Sequence, residues 1–478
     1  MERSDGHVQW SSRMAFIFAA VGSAVGLGNI WRFPYMAGEN GGAAFVIVYI
    51  GFVILIGLPV LMAELAIGRR GRMSPINSIR KVAVESGANP RWKWLGWFGS
   101  FGGGLGLLSF YGVIAGWVLA YIIKAAVGTF TGIDSAGALA EQNLMEGNTA
   151  MMVVWHAVFI GITIFIVARG INAGLEKAVI YLMPVLFLLL LVLVGYSMAA
   201  GEFVRALDFL FRPDFSAIDG GVVLAALGQA LFSLSVTVGT MLAYGAYLSK
   251  DVSIHKSAGI IAAADTGVAL IAGLAIFPLV FAFFPEAECL EAASAALPAC
   301  QDIQFAGPGL IFKVLPVAFG QMPGGAVFGT LFFILLAIAA LTSSISMLEP
   351  AVSFFEEKQN INRWMSAVFA GGLAFLIGLL SVFSFNEWKD VIPLASFGLE
   401  TIGGSPATFF EIINFTVSNL IMPISGLLLA VFAGWVVMRK SMRQEMGLPE
   451  GGIFEIWHVL IKFFCPIALI FILLAGLT

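Results

Sequence analysis

GSAVGLGN, Gly22 to Asn29, interrupts the first apolar stretch of the chain near its middle, and SLSVTVG, Ser233 to Gly239, interrupts the sixth in the same way. Glycines and hydroxyls are poor helix formers, and a break there frees backbone amides and carbonyls. In a lipid environment each freed group costs several kcal/mol unless something satisfies it. Freed carbonyls can hold a cation, and helix N-termini can hold a carboxylate. Tight helix packing is the other use of such small residues. Breaks at matching positions of two halves mark the binding site of carriers built from inverted repeats.

The surroundings of the two stretches are membrane-like. The chain has 478 residues, of which 59% are hydrophobic and 11% charged. A soluble domain carries about 25% charged residues. Eleven apolar stretches are long enough to span a bilayer: 14–37, 42–68, 95–124, 150–169, 175–200, 220–247, 257–285, 323–355, 364–384, 407–437 and 455–477. Residues 1–10 are polar and the first apolar stretch runs on as a full span, so no cleavable signal is expected. With the N-terminus inside, only Lys124, Arg205, Arg212, Lys313 and Lys389 of the 25 lysines and arginines fall outside, and Arg32 lies within span one. That bias sets the N-terminus in the cytoplasm and, for eleven spans, the C-terminus outside. The outer segment 286–322 holds a short apolar piece, Ile311 to Phe319, that reads as a helix over the outer mouth. Cys289 and Cys300 share this segment, where a disulfide can persist, while Cys465 lies in an apolar helix. The histidines His7, His156, His255 and His458 are scattered, and no Cys/His cluster has metal-ligand spacing. The pI near 5.7 leaves no nucleic-acid footprint.

The reading is therefore an all-α polytopic membrane protein with eleven transmembrane helices and no separate soluble domain. Two five-helix halves, about 10–200 and 218–438, form an inverted repeat in which helices one and six are discontinuous, and 455–477 is an extra helix. Two more polar features lie inside spans. Asp265 stands in span seven with apolar residues on both sides, and a carboxylate at the bilayer centre costs about 2.5–3.5 kcal/mol on insertion scales. LTSSIS, Leu341 to Ser346, clusters hydroxyls in span eight. Hydroxyls and carbonyls are hard ligands suited to sodium, and back-bonding to the helix is their other use.

NIWRFPYMAGENGG (Asn29 to Gly42) resembles the signature of the neurotransmitter:sodium symporters, in their prokaryotic amino-acid-transporting branch. GLPVLMAELAIGRR (57–70), SFYGVIAGW (109–117), GQALFSLS (228–235), ADTGVALIAGLAIFP (264–278) and LTSSISMLEP (341–350) extend the resemblance in order along the chain. The resemblance implies two sodium sites, with Na+ as the coupling ion. Site one would use the Ala24 carbonyl, Asn29, Ser233 and Asp265. Site two would use the carbonyls of Gly22, Val25 and Ala339 and the hydroxyls of Thr342 and Ser343. It implies an amino acid whose carboxylate meets the amides of Leu27 and Gly28 and the Tyr111 hydroxyl. The amino group would meet carbonyls of Ala24, Phe232 and Ser233 and the Ser235 hydroxyl. Leu107, Phe232, Val238, Ser343 and Met347 would face the substrate side chain. Gly26 replaces the Asp of amine-carrying relatives and leaves room for a substrate carboxylate. Many relatives have Asn where this chain has Asp265, so a fixed carboxylate predicts chloride independence.

Departures from the family pattern fall on the pocket and the gates. After Ser235 the chain has Val236, Thr237 and Val238 in place of the common Leu-Gly-Phe or Leu-Gly-Met. The outer gate would pair Arg32 with Asn414 or with Glu411 one turn earlier. The inner latch would involve Trp10 and pair His7, or Arg3, with Glu357. Gly174 to Pro184 resembles a stretch that unwinds in relatives to admit water, and an ordinary proline kink is the alternative. The expected function is sodium-coupled import of a neutral, hydrophobic amino acid across a prokaryotic plasma membrane. The rivals are a sodium-independent or proton-coupled carrier and a substrate sensor that does not transport. No nucleophile–base pair suggests an enzyme.

Overall fold

The structure is a computed structural model, and it describes residues 9–283, 310–359, 361–395, 400–402, 405–449 and 451–476. Nine helices among these residues are long and apolar enough to cross a membrane. In the numbering of the expected spans they are two (Ala43–Gly71), three (Pro90–Ala126), four (Thr149–Ala168), five (Ile171–Ala200), seven (Ile254–Phe283), eight (Gly325–Glu357), nine (Arg363–Ser384), ten (Phe409–Val436) and eleven (Ile453–Ala475). Span one is a pair of helices, Arg13–Ala24 and Gly28–Glu39, bent by 50° at the break. Span six is two shorter helices, Gly220–Ser233 and Thr240–Ala246. The interruptions fall where the glycines and hydroxyls stand in the sequence.

Spans three and eight form the centre, with 78% of their most apolar stretch buried by protein. Spans five and eleven bury 28% and 22% of theirs and turn the rest outward. In a bilayer that outward face meets acyl chains, so its exposed leucines and phenylalanines carry no solvation cost there. Pro184 lies inside a continuous helix, so the Gly174–Pro184 stretch is wound rather than opened here. The helix Leu310–Gln321 is packed into the protein end, with Phe312 edge-on to Trp117 at 5.6 Å and to Tyr121 at 4.9 Å. Cys289, Cys300, Arg3 and His7 lie outside the described residues. Cys465 is buried and free.

Span two meets the second half of span six backbone to backbone. A Cβ on Gly68 would stand 2.1 Å from the Leu242 carbonyl oxygen. Gly161, on span four, has no atom within 4 Å of the same position. Gly68→Leu should therefore lower unfolding stability by roughly 1–3 kcal/mol or prevent folding, while Gly161→Leu stays within about 0.5 kcal/mol. Thermal unfolding in detergent measures both, and equal effects would contradict this packing.

Candidate functional site

The two breaks lie against each other, and side chains from spans two and seven close on them. Asn29, Ser233 and Asp265 are fully buried. Asn29 Nδ2 donates to Asp265 Oδ1 at 2.7 Å and to Ser233 Oγ at 3.1 Å, and the Ser233 hydroxyl donates to Asp265 Oδ2 at 2.5 Å. Asn29 Oδ1 accepts the Gly26 N–H at 3.1 Å, which holds the break of span one. Tyr49 of span two joins the cluster, 3.1 Å from Ser233 Oγ and 3.4 Å from Asp265 Oδ2. The carboxylate is thus surrounded by hydroxyl and amide groups without a basic partner bonded to it. The oxygens of Asp265, Ser233 and Tyr49 are hard ligands that suit a small monovalent cation, whose charge would offset that of Asp265, once Asn29 turns its amide nitrogen away.

The second expected ion site lies between spans one and eight. A Cβ on Gly22 would stand 3.3 Å from Thr342 Cβ, so the two residues face each other. Thr342 Oγ1 donates to its own helix, to the carbonyls of Ile338 and Ala339 at 3.1 Å each. Ser343 Oγ crosses to the Ser23 carbonyl at 3.2 Å. Val25 and Ala339 are buried beside them.

Between the two expected ion sites is a small chamber lined by Ala24, Gly26, Leu27, Gly28, Leu107, Tyr111, Phe232, Ser235, Val238, Ser343 and Met347. Eleven of the twelve residues expected to face a substrate therefore share one cavity, with Ser233 behind it and Met422 of span ten added. Its free volume is only ≈ 10 Å³, so any guest must spread the walls. Leu27 N–H points to the Tyr111 hydroxyl at 3.5 Å. A Cβ on Gly26 would stand 2.4 Å from Ser343 Oγ, so a larger residue there would have to displace the Ser343 hydroxyl. The Ser235 hydroxyl donates to the Ser23 carbonyl at 2.8 Å, tying break to break.

Span six turns through a left-handed backbone: φ is 50° at Ser235, 73° at Thr237 and 81° at Gly239. A non-glycine residue held there costs about 1–3 kcal/mol. Side chains from elsewhere hold it. Glu64 Oε1 accepts the Thr237 N–H at 2.8 Å, Ser425 Oγ donates to the Thr237 carbonyl at 2.7 Å, and Thr240 Oγ1 donates to the Ser346 carbonyl at 3.2 Å. Tyr49, Glu64 and Ser425 are absent from the sequence-based site. Glu64 carries the same signal as Asp265, a carboxylate inside an apolar run, and Tyr49 is a single hydroxyl in one. Ser425 is likewise a single hydroxyl in an apolar run.

The two ends of the molecule differ. Next to the chamber lies a vestibule of ≈ 280 Å³ that includes Trp31, Arg32, Phe110, Tyr111, Phe232, Glu411 and Asn414. Arg32 stacks on the Phe232 ring at 4.4 Å, and Asn414 Oδ1 accepts from the Ser418 hydroxyl at 3.3 Å. The expected outer gate residues therefore share a cavity without forming an ion pair among the described residues. At the other end Trp10 is buried, donating from Nε1 to the Tyr244 carbonyl at 3.1 Å and from its amide to the Tyr247 carbonyl at 3.2 Å. Glu357 is not latched to the N-terminal segment described here. Its oxygens accept from Ser74 N and Ser74 Oγ at 2.6 Å and from Asn77 Nδ2 at 2.8 Å, an anion at the start of the helix Pro75–Glu85. The clasp on the N-terminal segment is Glu176 of span five, which accepts from Ser11 N at 3.0 Å and from the Ser11 hydroxyl, while Asn172 donates to the Gln9 carbonyl at 3.0 Å. A hydrogen bond to a charged group contributes about 1.5–3 kcal/mol. Glu176→Ala should therefore raise amide hydrogen exchange at residues 10–16 by about tenfold or more; unchanged exchange would show that Glu176 does not hold this end.

Comparison with known proteins agrees with this architecture. The model of the sodium:neurotransmitter symporter family matches residues 7–131 and 139–389. The sodium-dependent transporter YhdH of Bacillus subtilis is 38% identical over 477 residues, covering 98% of this chain and 97% of its own. A sodium-dependent transporter of Haemophilus influenzae is 31% identical over 475 residues, covering 98% of both chains. The crystal structure of MhsT in complex with L-phenylalanine superimposes with a TM-score of 0.84 at 39% identity, covering 98% of this chain and 100% of MhsT. The chain belongs to the sodium:neurotransmitter symporter family, a family of multi-pass membrane transporters and not of enzymes.

Proposed function

We propose that the chain is a sodium-coupled symporter importing a neutral, hydrophobic amino acid by alternating access, without need for chloride. The observation that carries this reading is the joining of the two helix breaks at the Asn29–Ser233–Asp265 cluster, directly beside a chamber walled by Leu107, Val238 and Met347. The chamber's apolar walls suit an apolar side chain. The amides of Leu27 and Gly28 and the Tyr111 hydroxyl suit a carboxylate, which would complete the shell of the first sodium. MhsT, similar along the whole chain, was crystallised with L-phenylalanine. Two sodium ions are proposed, one at Asp265 and one between Gly22, Val25, Ala339, Thr342 and Ser343.

The end that carries Trp10 is closed and the Arg32 end holds the vestibule, which fits a state facing outward with the N-terminus in the cytoplasm of a prokaryote. Import then requires Arg32 to leave Phe232 and close over the chamber, followed by release of Trp10 and Ser11. Two inward sodium charges would supply roughly 4.6 kcal/mol per 100 mV, or about 10³-fold accumulation of substrate. Asp265 supplies a fixed negative charge beside the cation, so no anion has to be recruited.

Uptake of L-phenylalanine by proteoliposomes tests the reading. Uptake should vanish when sodium is replaced by choline and persist when chloride is replaced by gluconate. Sodium-independent uptake, or collapse in gluconate, would contradict it. Asp265→Asn should weaken sodium-dependent binding by about a hundredfold, since it removes the charge that balances the ion. Unchanged sodium affinity in that variant would remove Asp265 from the ion site.

A further inference from the structure

Glu64 belongs to neither ion site and does not line the chamber. It stands in LMAELAIG with apolar neighbours along span two and is 1% exposed. Oε1 accepts the Thr237 N–H at 2.8 Å, and Oε2 has no hydrogen-bond partner among the described residues. The donor, Thr237, sits at the turn of the span-six break with φ 73°. Two more buried hydroxyls at this place lack partners among the described residues, Thr237 Oγ1 and Ser100 Oγ, the latter 2.9 Å from where a Cβ on Gly239 would stand.

A carboxylate removed from water needs several donors or a cation, and Glu64 has one N–H. The charged groups on the elements around it are engaged elsewhere or stand at the ends of those elements. On span two itself, Arg69 binds Glu445 and the Val252 carbonyl, and Arg70 binds Glu85 and Glu445. From the helix Pro75–Glu85, Lys81 donates to the Gly71 carbonyl, and Arg80 stands on the same short helix. Span seven contributes Asp265, held by Asn29 and Ser233, with His255 and Lys256 at its end. From the helix Arg439–Met446, Arg439 pairs with Glu455, and Lys440 and Arg443 belong to the same end. In span eleven Lys462 lies over Trp435, near His458. The second half of span six offers only the Tyr244 hydroxyl, and Met422–Val431 of span ten has no titratable side chain. A neutral acid fits these surroundings, accepting from Thr237 with one oxygen and presenting an O–H on the other.

We propose that Glu64 is a proton-binding positioning residue: as the neutral acid it holds the break of span six through Thr237, and loss of its proton loosens the amino-acid site. A charge on Glu64 would draw the unpartnered hydroxyls of Thr237 and Ser100 towards it and shift residues 235–238. Proton and amino acid then bind with positive linkage. The group is competent when protonated, so affinity is full at low pH and falls as pH rises through the titration of Glu64. This rests on the reading that residues 232–238 hold the amino acid.

The test uses the full chain in nanodiscs at saturating sodium, with L-phenylalanine binding followed between about pH 5 and 9. Wild-type affinity should fall by up to about tenfold per pH unit above the transition. Glu64→Gln, whose amide accepts from Thr237 and donates from its nitrogen, should match the low-pH wild type at every pH. Infrared spectra of the ligand-free proteins should show a protonated-carboxyl carbonyl band that the variant lacks. Four results would overturn the proposal: a variant that folds but binds tenfold more weakly throughout, a variant with the wild-type pH profile, a wild-type affinity that does not change, or no carboxyl band lost. The infrared comparison needs no ligand. If L-phenylalanine fails to bind at all, the transport reading falls while the protonation of Glu64 is still decided.

Discussion

A polypeptide that leaves its helix in the middle of a bilayer has to find partners for the amides and carbonyls it releases. The two breaks satisfy that demand largely on each other. Ser235 of span six donates to the Ser23 carbonyl of span one, Asn29 of span one reaches Ser233 of span six, and Asp265 of span seven gathers both. The groups left over face the chamber and the expected ion positions. What remains once the backbone has been satisfied in this way is a small chamber beside the breaks, which is where the proposed binding site lies. The strained left-handed turn at Ser235 and Thr237 persists because Glu64, Ser425 and Thr240 hold it from three sides.

The same junction connects the chamber to the two ends of the molecule. The short helix after the break carries Tyr244, whose carbonyl holds the Trp10 indole, and the chain just beyond it carries Tyr247, whose carbonyl holds the Trp10 amide. The helix before the break carries Phe232, on which Arg32 rests. A shift of the break thus acts on both ends through rigid pieces of one span. Tyr247 also donates to the buried Glu349 carboxylate at 2.8 Å, which pairs with Arg363 at 2.5 Å, so the closed end is linked to spans eight and nine. Occupancy of a small site can in this way bias large elements, because the packed ends have discrete arrangements.

Much of this was legible in the sequence. Breaks in spans one and six, the buried Asp265 and the LTSS run are violations of apolar patterning, and such violations mark function in a membrane helix. Eleven residues assigned to the chamber by family resemblance do line one cavity. The gates were less legible. The expected partners of Glu357, His7 and Arg3, lie outside the described residues; among those described its carboxylate meets Ser74 and Asn77 at the start of the helix Pro75–Glu85, and Glu176 holds Ser11. Carboxylates at the ends of spans, such as Glu176 and Glu357, break no apolar pattern, and which donor they meet depends on tertiary packing. Thr342 bonds its own helix, the alternative open for any hydroxyl in a span. Tyr49 and Ser425 are lone polar residues in apolar runs, and only their approach to the breaks gives them a role.

The central claim is that sodium and the amino acid share one site formed by the joined breaks. Equilibrium binding of radioactive sodium to the purified chain, with and without L-phenylalanine, tests it most directly. Linkage requires that each ligand change the affinity of the other by the same factor. The account predicts that sodium affinity rises with the amino acid, that amino-acid affinity rises equally with sodium, and that both effects disappear in Asp265→Ala. Sodium affinity indifferent to the amino acid would mean that the ion and the substrate do not meet at the breaks.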